Sequence, residues 1–332
     1  MAVLTDRVKK WIAKDISLGV YPPGSKMPTR MELMQKYNIA RASADKVVSQ
    51  LVAEGLLVSA RGSGTYVVDP KNDTPYLYII LNTESECSEA NRFHSQLSLM
   101  LTKVSGNLEH SMLGSGDLEN HFSSILKNVR SHVIWSRPSI KSYGDIATLH
   151  RAGVRQVLVN RPIATYNYAS TDTRKALADV FEIISSRRQG ASFGLVAPPI
   201  DLEESFLAER ELYFHEMIHE HSGRLNFMGR VSDKSPSEIL RVTREALDRV
   251  HELDYLFVPD FAMVPFVVAL AAERGIVLGK GLNLITIDWD EEREGVICIK
   301  QDWDTMLHCS VEWARSRSME PFQKLVPAEV LA

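Results

Sequence analysis

The sequence predicts two unequal parts. A small α+β winged helix-turn-helix unit occupies residues 1–69, and a two-lobed α/β body with helix-covered parallel sheets occupies 76–332, with a linker at 70–75 between them. Three observations carry this reading. Helix-period runs followed by a glycine-bounded pair of short β runs fill the first part. Seven near-continuous apolar runs, separated by helix-period segments, fill the second, as parallel strands buried on both faces require. The length of 332 residues also exceeds what one hydrophobic core usually holds.

In the first part Leu4, Val8, Trp11, Ile12 and Ile16 keep helical spacing until Gly19 ends the pattern. YPPGSKMP (21–28) is excluded from helix because its prolines fix φ and lack a donor. Thr29, with Glu32 three residues on, spells a capping box at the start of a second helix. After a short turn a third helix carries Ala44, Val47, Val48 and Leu51 on one face and closes at Glu54-Gly55. LLVSA and TYVV then read as two short strands joined by RGSG (61–64). A phosphate-cradling glycine loop would need a helix after it and a Lys-Ser/Thr pair, and neither is present. RGSG is therefore the tip of a hairpin, small and basic enough for close backbone approach to a surface. Helix, helix, tight turn, helix and hairpin make a winged helix-turn-helix, and the surface it touches is DNA.

Beyond DPKNDTP, which is polar and proline-bounded, strands are expected at 76–82, 132–137, 156–161, 192–198, 255–260, 282–288 and 295–300. Helices are expected around 91–104, 119–129, 144–152, 173–188, 204–220, 236–251, 262–274 and 304–317. Open parallel sheets bind ligands at the carboxyl ends of their strands. Several strands here end in polar residues: Asn82, Ser136-Arg137, Asn160-Arg161, Asp260 and Asp288. Trp135 and Trp289, also near strand ends, could stack on a sugar face.

Net charge is −4, unevenly spread. The first 70 residues hold 10 Lys/Arg against 6 Asp/Glu and the rest 28 against 36, so an anionic partner is expected for the first part alone. Cys87, Cys298 and Cys309 are far apart and odd in number, which indicates neither a disulfide framework nor a thiolate metal site. No apolar run of about 18 residues exists, and the charged first helix lacks a signal-peptide pattern. A cytoplasmic protein with no membrane partner, no cofactor and no metal is expected.

Residues 21–67 resemble the DNA-binding domain of the GntR family of bacterial transcription regulators. The shared features are the PPG turn, the Pro-x-x-x-Glu-Leu helix start, the EGLL step and the closing G-x-G-T-x-V. The resemblance implies that the third helix enters the major groove through Arg41 and Ser43, and that the wing reaches the minor groove through Arg61, Gly62, Ser63 and Gly64. Thr29 and Arg30 lie at the start of the preceding helix, and Lys46 is a candidate phosphate contact. Arg41 is the residue expected to read a base, as a bidentate partner of guanine. The chain departs from the family pattern at three places. Arginine is usual where Met31 stands, a capping Ser or Thr where Ala40 stands, and arginine is common where Asp45 stands. Asp45 would repel phosphate, although an acid can accept from cytosine.

The body resembles the effector domain of the LacI/GalR family, itself similar to periplasmic sugar-binding proteins. The resemblance rests on YASTDTRKAL (168–177), AEREL (208–212), residues 257–291 and IKQDWDTML (299–307). It implies a periplasmic-binding-protein-like fold in which Arg210 and Asp260 bind sugar hydroxyls and Asp172 is structural. Tyr213 stands where glycine is frequent, and Pro259 replaces the usual asparagine or its neighbour. An arginine fork and paired aspartate acceptors suit vicinal hydroxyls on chemical grounds as well. The combination resembles arabinose-repressor-like regulators and implies a homodimer on a palindromic operator, with a sugar effector modulating DNA affinity. Two rivals stand beside it. The body could serve only for dimerisation or bind a non-sugar effector, or His215, Glu216 and His219 could form the HExxH pair of a zinc hydrolase. The extended zinc motif fails, because Ser222 and Leu225 stand at its glycine and histidine positions.

Overall fold

The computed structural model describes residues 2–60, 63–68, 74–82, 88–128, 130–200, 205–289, 293–316, 318 and 320–332. In the first part α1 (Ala2–Ser17) and α2 (Arg30–Tyr37) pack with α3 (Arg41–Ala53) and the hairpin of β1 (Leu57–Ala60) and β2 (Gly64–Val67). Val8, Ile12, Leu33, Val47, Leu51, Leu57 and Val67 form their common core. The capping box forms: Thr29 N donates to Glu32 Oε2 at 2.7 Å, and Glu32 N donates to Thr29 Oγ1 at 3.3 Å. At Ala40 the amino end of α3 has no side-chain cap. Gly64 adopts φ +127°, and a Cβ there would lie 2.6 Å from the Lys26 side chain, so the wing needs glycine at this point.

The first lobe of the body contains β3 (Tyr76–Leu81), α4 (Ser88–Ser105), β4 (His110–Gly114), α5 (Leu118–Lys127), β5 (Ser131–Ser136), α6 (Tyr143–Arg151), β6 (Arg155–Val159) and β7 (Asn167–Thr171). The chain then crosses into the second lobe. There it forms α7 (Thr173–Arg187), β8 (Ser192–Ala197), α8 (Ser205–Glu220), β9 (Arg224–Arg230), α9 (Pro236–Asp248), β10 (Tyr255–Val258), α10 (Val264–Glu273), β11 (Asn283–Ile287) and β12 (Val296–Lys300). It returns with α11 (Trp303–Arg315) and β13 (Gln323–Val326), then crosses a third time to β14 (Glu329–Leu331). The sheets run β13-β7-β6-β5-β3-β4 and β14-β12-β11-β10-β8-β9, and every pairing is parallel except β12 with β14. No helix among the described residues is long and apolar enough to cross a membrane.

Five strands were not expected from the sequence. β4, β9, β13 and β14 lie at sheet edges, where one neighbour suffices and a continuous apolar run is not required. β7 reads NYAST and is a strand because β6 and β13 pair with it on both sides. The return of α11 is likewise decided by packing. Trp303, Met306, Leu307 and Val311 join Leu77, Ile79 and Val159 in the first-lobe core.

A Cβ on Gly295 would sit 2.0 Å from Gly279 N, and φ there is +78°. Gly295→Ala should therefore cost about 3 kcal/mol in urea unfolding. Gly153→Ala, at φ +80° but with nothing within 4 Å, should cost about 1 kcal/mol. His132, on β5, has its Nδ1 enclosed without a hydrogen-bond partner. Burial, with Arg155 second, holds its pKa down from 6.5 to about 4. The unfolded chain takes up this proton first, so the contribution is fully present above the ordinary histidine value and is lost as pH falls through the window down to about 4. Wild-type melting should drop on acidification across that window, and His132→Gln should flatten the drop by about 1–3 kcal/mol.

Candidate functional site

The winged domain presents α3 with its amino end open. Arg41 is exposed at the first helical position, one turn before Asp45, and Lys46 is exposed beside it. Neither Arg41 nor Lys46 has an ion pair or hydrogen-bonded side-chain partner among the described residues, so both cations are available to an anionic surface. Ser43 is half-buried. Arg30 is placed differently from a free groove contact. Its Nη1 donates to Thr65 Oγ1 of β2 at 2.6 Å, and its Nε lies 3.5 Å from Asp45 Oδ1. One guanidinium thus ties the start of α2 to the wing and to α3, and it offsets the Asp45 charge. Thr29 is exposed but committed to its capping box. Ser63 Oγ and Tyr66 OH are 2.6 Å apart at the base of the wing, next to Gly64. Arg61 and Gly62 lie outside the described residues.

The body encloses a cavity of about 210 Å³ between its lobes. Asn160, Arg161, Ser170 and Thr171 line it from the first lobe. Phe206, Glu209, Arg210 and Tyr213 line it from α8, at spacings of three and four that put them on one helix face. Gln301, on the second crossing, closes the floor. Its Oε1 accepts from Asn160 Nδ2 at 2.9 Å and from Thr171 Oγ1 at 2.8 Å. Its backbone N donates to Asp288 Oδ1 at 2.9 Å, and its Nε2 donates to Asp288 Oδ2. Asn160 and Asp288 sit just past β6 and β11 with φ +57° and +58°, a left-handed turn that short polar side chains tolerate.

Arg210, 6% exposed, donates from Nη1 to Pro259 O at 2.6 Å, and its guanidinium stands 4.9 Å from the Phe206 ring. Arg161, 5% exposed, stands 4.3 Å from the same ring. Burial pulls its pKa down to about 9, with Arg137 and Arg210 adding to the effect, so it remains charged at neutral pH. Burial also pushes the Glu209 carboxyl up, against the pull of Arg161 and Arg210. Asp172 lines the cavity and caps α7 by accepting from Lys175 N at 3.0 Å.

Of the residues expected to bind an effector, Arg210 lines this cavity, and Asp288 stands one residue away behind Gln301. Asp260 is not in the wall. It caps the turn at Ala262, and its Oδ2 is 2.7 Å from Lys234 Nζ. Asn82 is also outside the wall, its amide donating to Arg137 O at 3.2 Å. The two tryptophans correct the stacking expectation. Trp135 is 1% exposed in the first-lobe core and donates to Gln156 Oε1 at 2.8 Å. Trp289 is 8% exposed in the second-lobe core. Sequence reasoning named the Asn160-Arg161 strand end without assigning it to the effector, and it missed Phe206, Glu209, Thr171 and Gln301. The helical spacing of 206, 209, 210 and 213 was the signal available.

The HExxH residues lie on α8, but Glu216 is bound by Arg174 Nε at 3.1 Å, and His215 Nε2 is 4.0 Å from Glu211. No group of three metal-ligating side chains is present among the described residues. Glu238, the first acid of the following helix α9, is held by Arg241 at 3.0 Å.

Residues 4–67 match the gntR family of bacterial regulatory proteins. The histidine utilization repressor of Pseudomonas putida is 31% identical over 111 residues, covering 33% of this chain and 44% of that protein. The chain spans less than half the length of the curated relatives it matches. The transcriptional regulator CelR, solved in complex with cellobiose, superposes with a TM-score of 0.62 at 13% identity, over 89% of this chain and 90% of that one. A LacI family regulator from Clostridium acetobutylicum does so with a TM-score of 0.62 at 14% identity, over 78% and 99%. The chain therefore joins a GntR-type winged helix-turn-helix domain to a body with the fold of LacI-family regulators.

Gln301 makes the hydrogen bonds that hold the second crossing to both lobes. Gln301→Ala should lower stability by about 1–3 kcal/mol in urea unfolding, because it leaves Asn160 and Asp288 short of partners.

Proposed function

We propose that this protein is a sequence-specific DNA-binding repressor whose operator affinity is set by a small hydroxylated ligand, a sugar or sugar derivative, held between the lobes of its body. The observation that carries this reading is the pairing in one chain of an open recognition helix with a polar cavity walled by both lobes. A ligand in such a cavity favours the lobe arrangement that completes its contacts, and that differential affinity is what coupling to DNA binding requires. The protein works in the cytoplasm as a homodimer, each copy placing one α3 in the major groove of a palindromic operator. Arg41 reads a base, Lys46 contacts phosphate, and the wing with Ser63 and Gly64 follows the adjacent minor groove. Arg61 and Gly62 complete that wing contact. Arg30 acts by holding wing and recognition helix in register, which accounts for its place one residue before the usual arginine.

The amide and hydroxyl groups of Asn160, Ser170, Thr171 and Gln301 line the cavity as a hydrogen-bonded network whose donors and acceptors suit exchange with ligand hydroxyls. Arg210 supplies a fixed fork of donors beside them. The regulatory sense, rather than catalysis, is supported by the relatives named as repressors.

The test separates the two halves. Arg41→Ala should weaken operator binding about 10- to 100-fold in a fluorescence-anisotropy titration, the worth of one bidentate base contact. Arg210→Ala should bind the operator as wild type does, while losing the response to ligand. An Arg210→Ala protein that still responds normally would remove the cavity from the mechanism.

A further inference from the structure

Arg161 is the least explained charge in the cavity. It lies immediately after β6 and is 5% exposed, and its Nε is fully enclosed without a hydrogen-bond partner. Among the described residues its Nη1 donates to the carbonyl of its own neighbour, Asn160, at 2.8 Å. No carboxylate pairs with it among the described residues. After burial, the charge acting on it most strongly is Arg137, followed by Tyr143 in the opposite sense, then Arg210, with Glu209 weaker than these. An arginine removed from water without a counter-ion is costly, because the lost hydration is not replaced by charge-assisted bonds. The Phe206 ring, 4.3 Å away, replaces only a small part of that hydration. The same ring lies 4.9 Å from the Arg210 guanidinium, so two like charges converge on one end of the cavity. Arg174, a third arginine of the wall, is paired with Glu216 and Glu220 at 3.1 and 2.8 Å.

The cavity is thus divided by chemistry. Asn160, Thr171 and Gln301 form a neutral end matched to hydroxyls. Arg161 and Arg210 beside Phe206, with the single Glu209 carboxyl near both, make the other part of the wall net cationic and suited to an anion. We propose that the effector carries an anionic group, a carboxylate or a phosphate ester on a hydroxylated carbon skeleton, and that Arg161 binds that group. This rests on the reading of the cavity as the effector site and narrows its substrate class. A neutral sugar would leave the Arg161 guanidinium buried without a carboxylate partner among the described residues. An acidic one supplies the missing acceptors, in the bidentate geometry that guanidinium favours.

The experiment uses the full-length protein in thermal shift and calorimetric titration, with probes matched on one skeleton. These are glucose, glucuronate and glucose 6-phosphate; galactose and galacturonate; and inorganic phosphate alone. The expected result is stabilisation by an acidic member and not by its neutral counterpart. The uronate and phosphate arms identify which anion is taken, and inorganic phosphate shows whether the anion suffices without the skeleton. Arg161→Gln should melt no lower than wild type without ligand and should bind the acidic probe at least about tenfold more weakly. Arg161→Lys, which keeps the charge, should retain part of the binding. Should Arg161→Gln fail to fold, the matched pairs on the wild-type protein decide alone. Equal binding of neutral and acidic members, or a neutral sugar bound alike by wild type and Arg161→Gln, would overturn the anionic effector and leave the cavity a sugar site. No response to any member of the panel would overturn the effector reading together with the inference.

Discussion

Gln301 leaves the end of β12 with its backbone and amide nitrogen committed to Asp288 of the second lobe and its amide oxygen committed to Asn160 and Thr171 of the first. The body depends on this junction. Three stretches join the lobes, at 171–173, 300–303 and 326–329, and the first two meet at the Gln301 side chain. Asn160 and Asp288 hold equivalent left-handed positions after β6 and β11, and each donates its backbone N–H to the neighbouring crossing strand, at 2.8 and 2.9 Å. The pair makes the lobes two mirrored solutions of one problem, turning a parallel strand toward the cleft without leaving a buried polar group unmet. Asn160, Thr171 and Gln301 of this junction also line the cavity, so the cavity wall and the lobe junction share side chains.

The winged domain solves a smaller problem with one residue. Asp45 on the recognition helix would repel a phosphate backbone, and Ala40 leaves that helix uncapped. Arg30 meets the first difficulty by lying 3.5 Å from Asp45 while also donating to Thr65 of the wing. The second leaves backbone N–H groups open at the helix end that carries Arg41, where an anion is favoured. The departures from the usual family pattern are thereby connected, since the displaced arginine and the substituted acid answer each other.

Much of this was legible in the sequence, for reasons that are local. The capping box at Thr29 and Glu32, the glycine-bounded wing and the central apolar strands all follow from backbone stereochemistry and periodicity within a few residues. The strands that escaped notice were those whose identity depends on neighbours. NYAST is a strand because β6 and β13 flank it, and the edge strands carry polar residues that no apolar run announces. Arg210, singled out by its motif, lines the cavity, whereas nothing local marked Gln301 as the residue that joins the two lobes. Trp135 and Trp289 were misplaced because a strand end has two faces, and alternation along four or five residues does not tell which one meets the core.

The sequence by itself determined the division into a basic reading head and a larger two-lobed body, the start and stop of most helices, and the chemistry available at the strand ends. Those properties are set by short-range sterics and by the pattern of apolar residues. The tertiary structure alone decided that Arg161, Phe206 and Arg210 converge on one end of a cavity, and that Gln301 bridges residues 130 to 141 positions away. It also decided that Arg30 is tied to Thr65 of the wing and lies beside Asp45. The physical reason is the same in each case. Burial and pairing of charged or polar groups depend on which surfaces the packed layers bring together, and that is fixed only when the long-range contacts form.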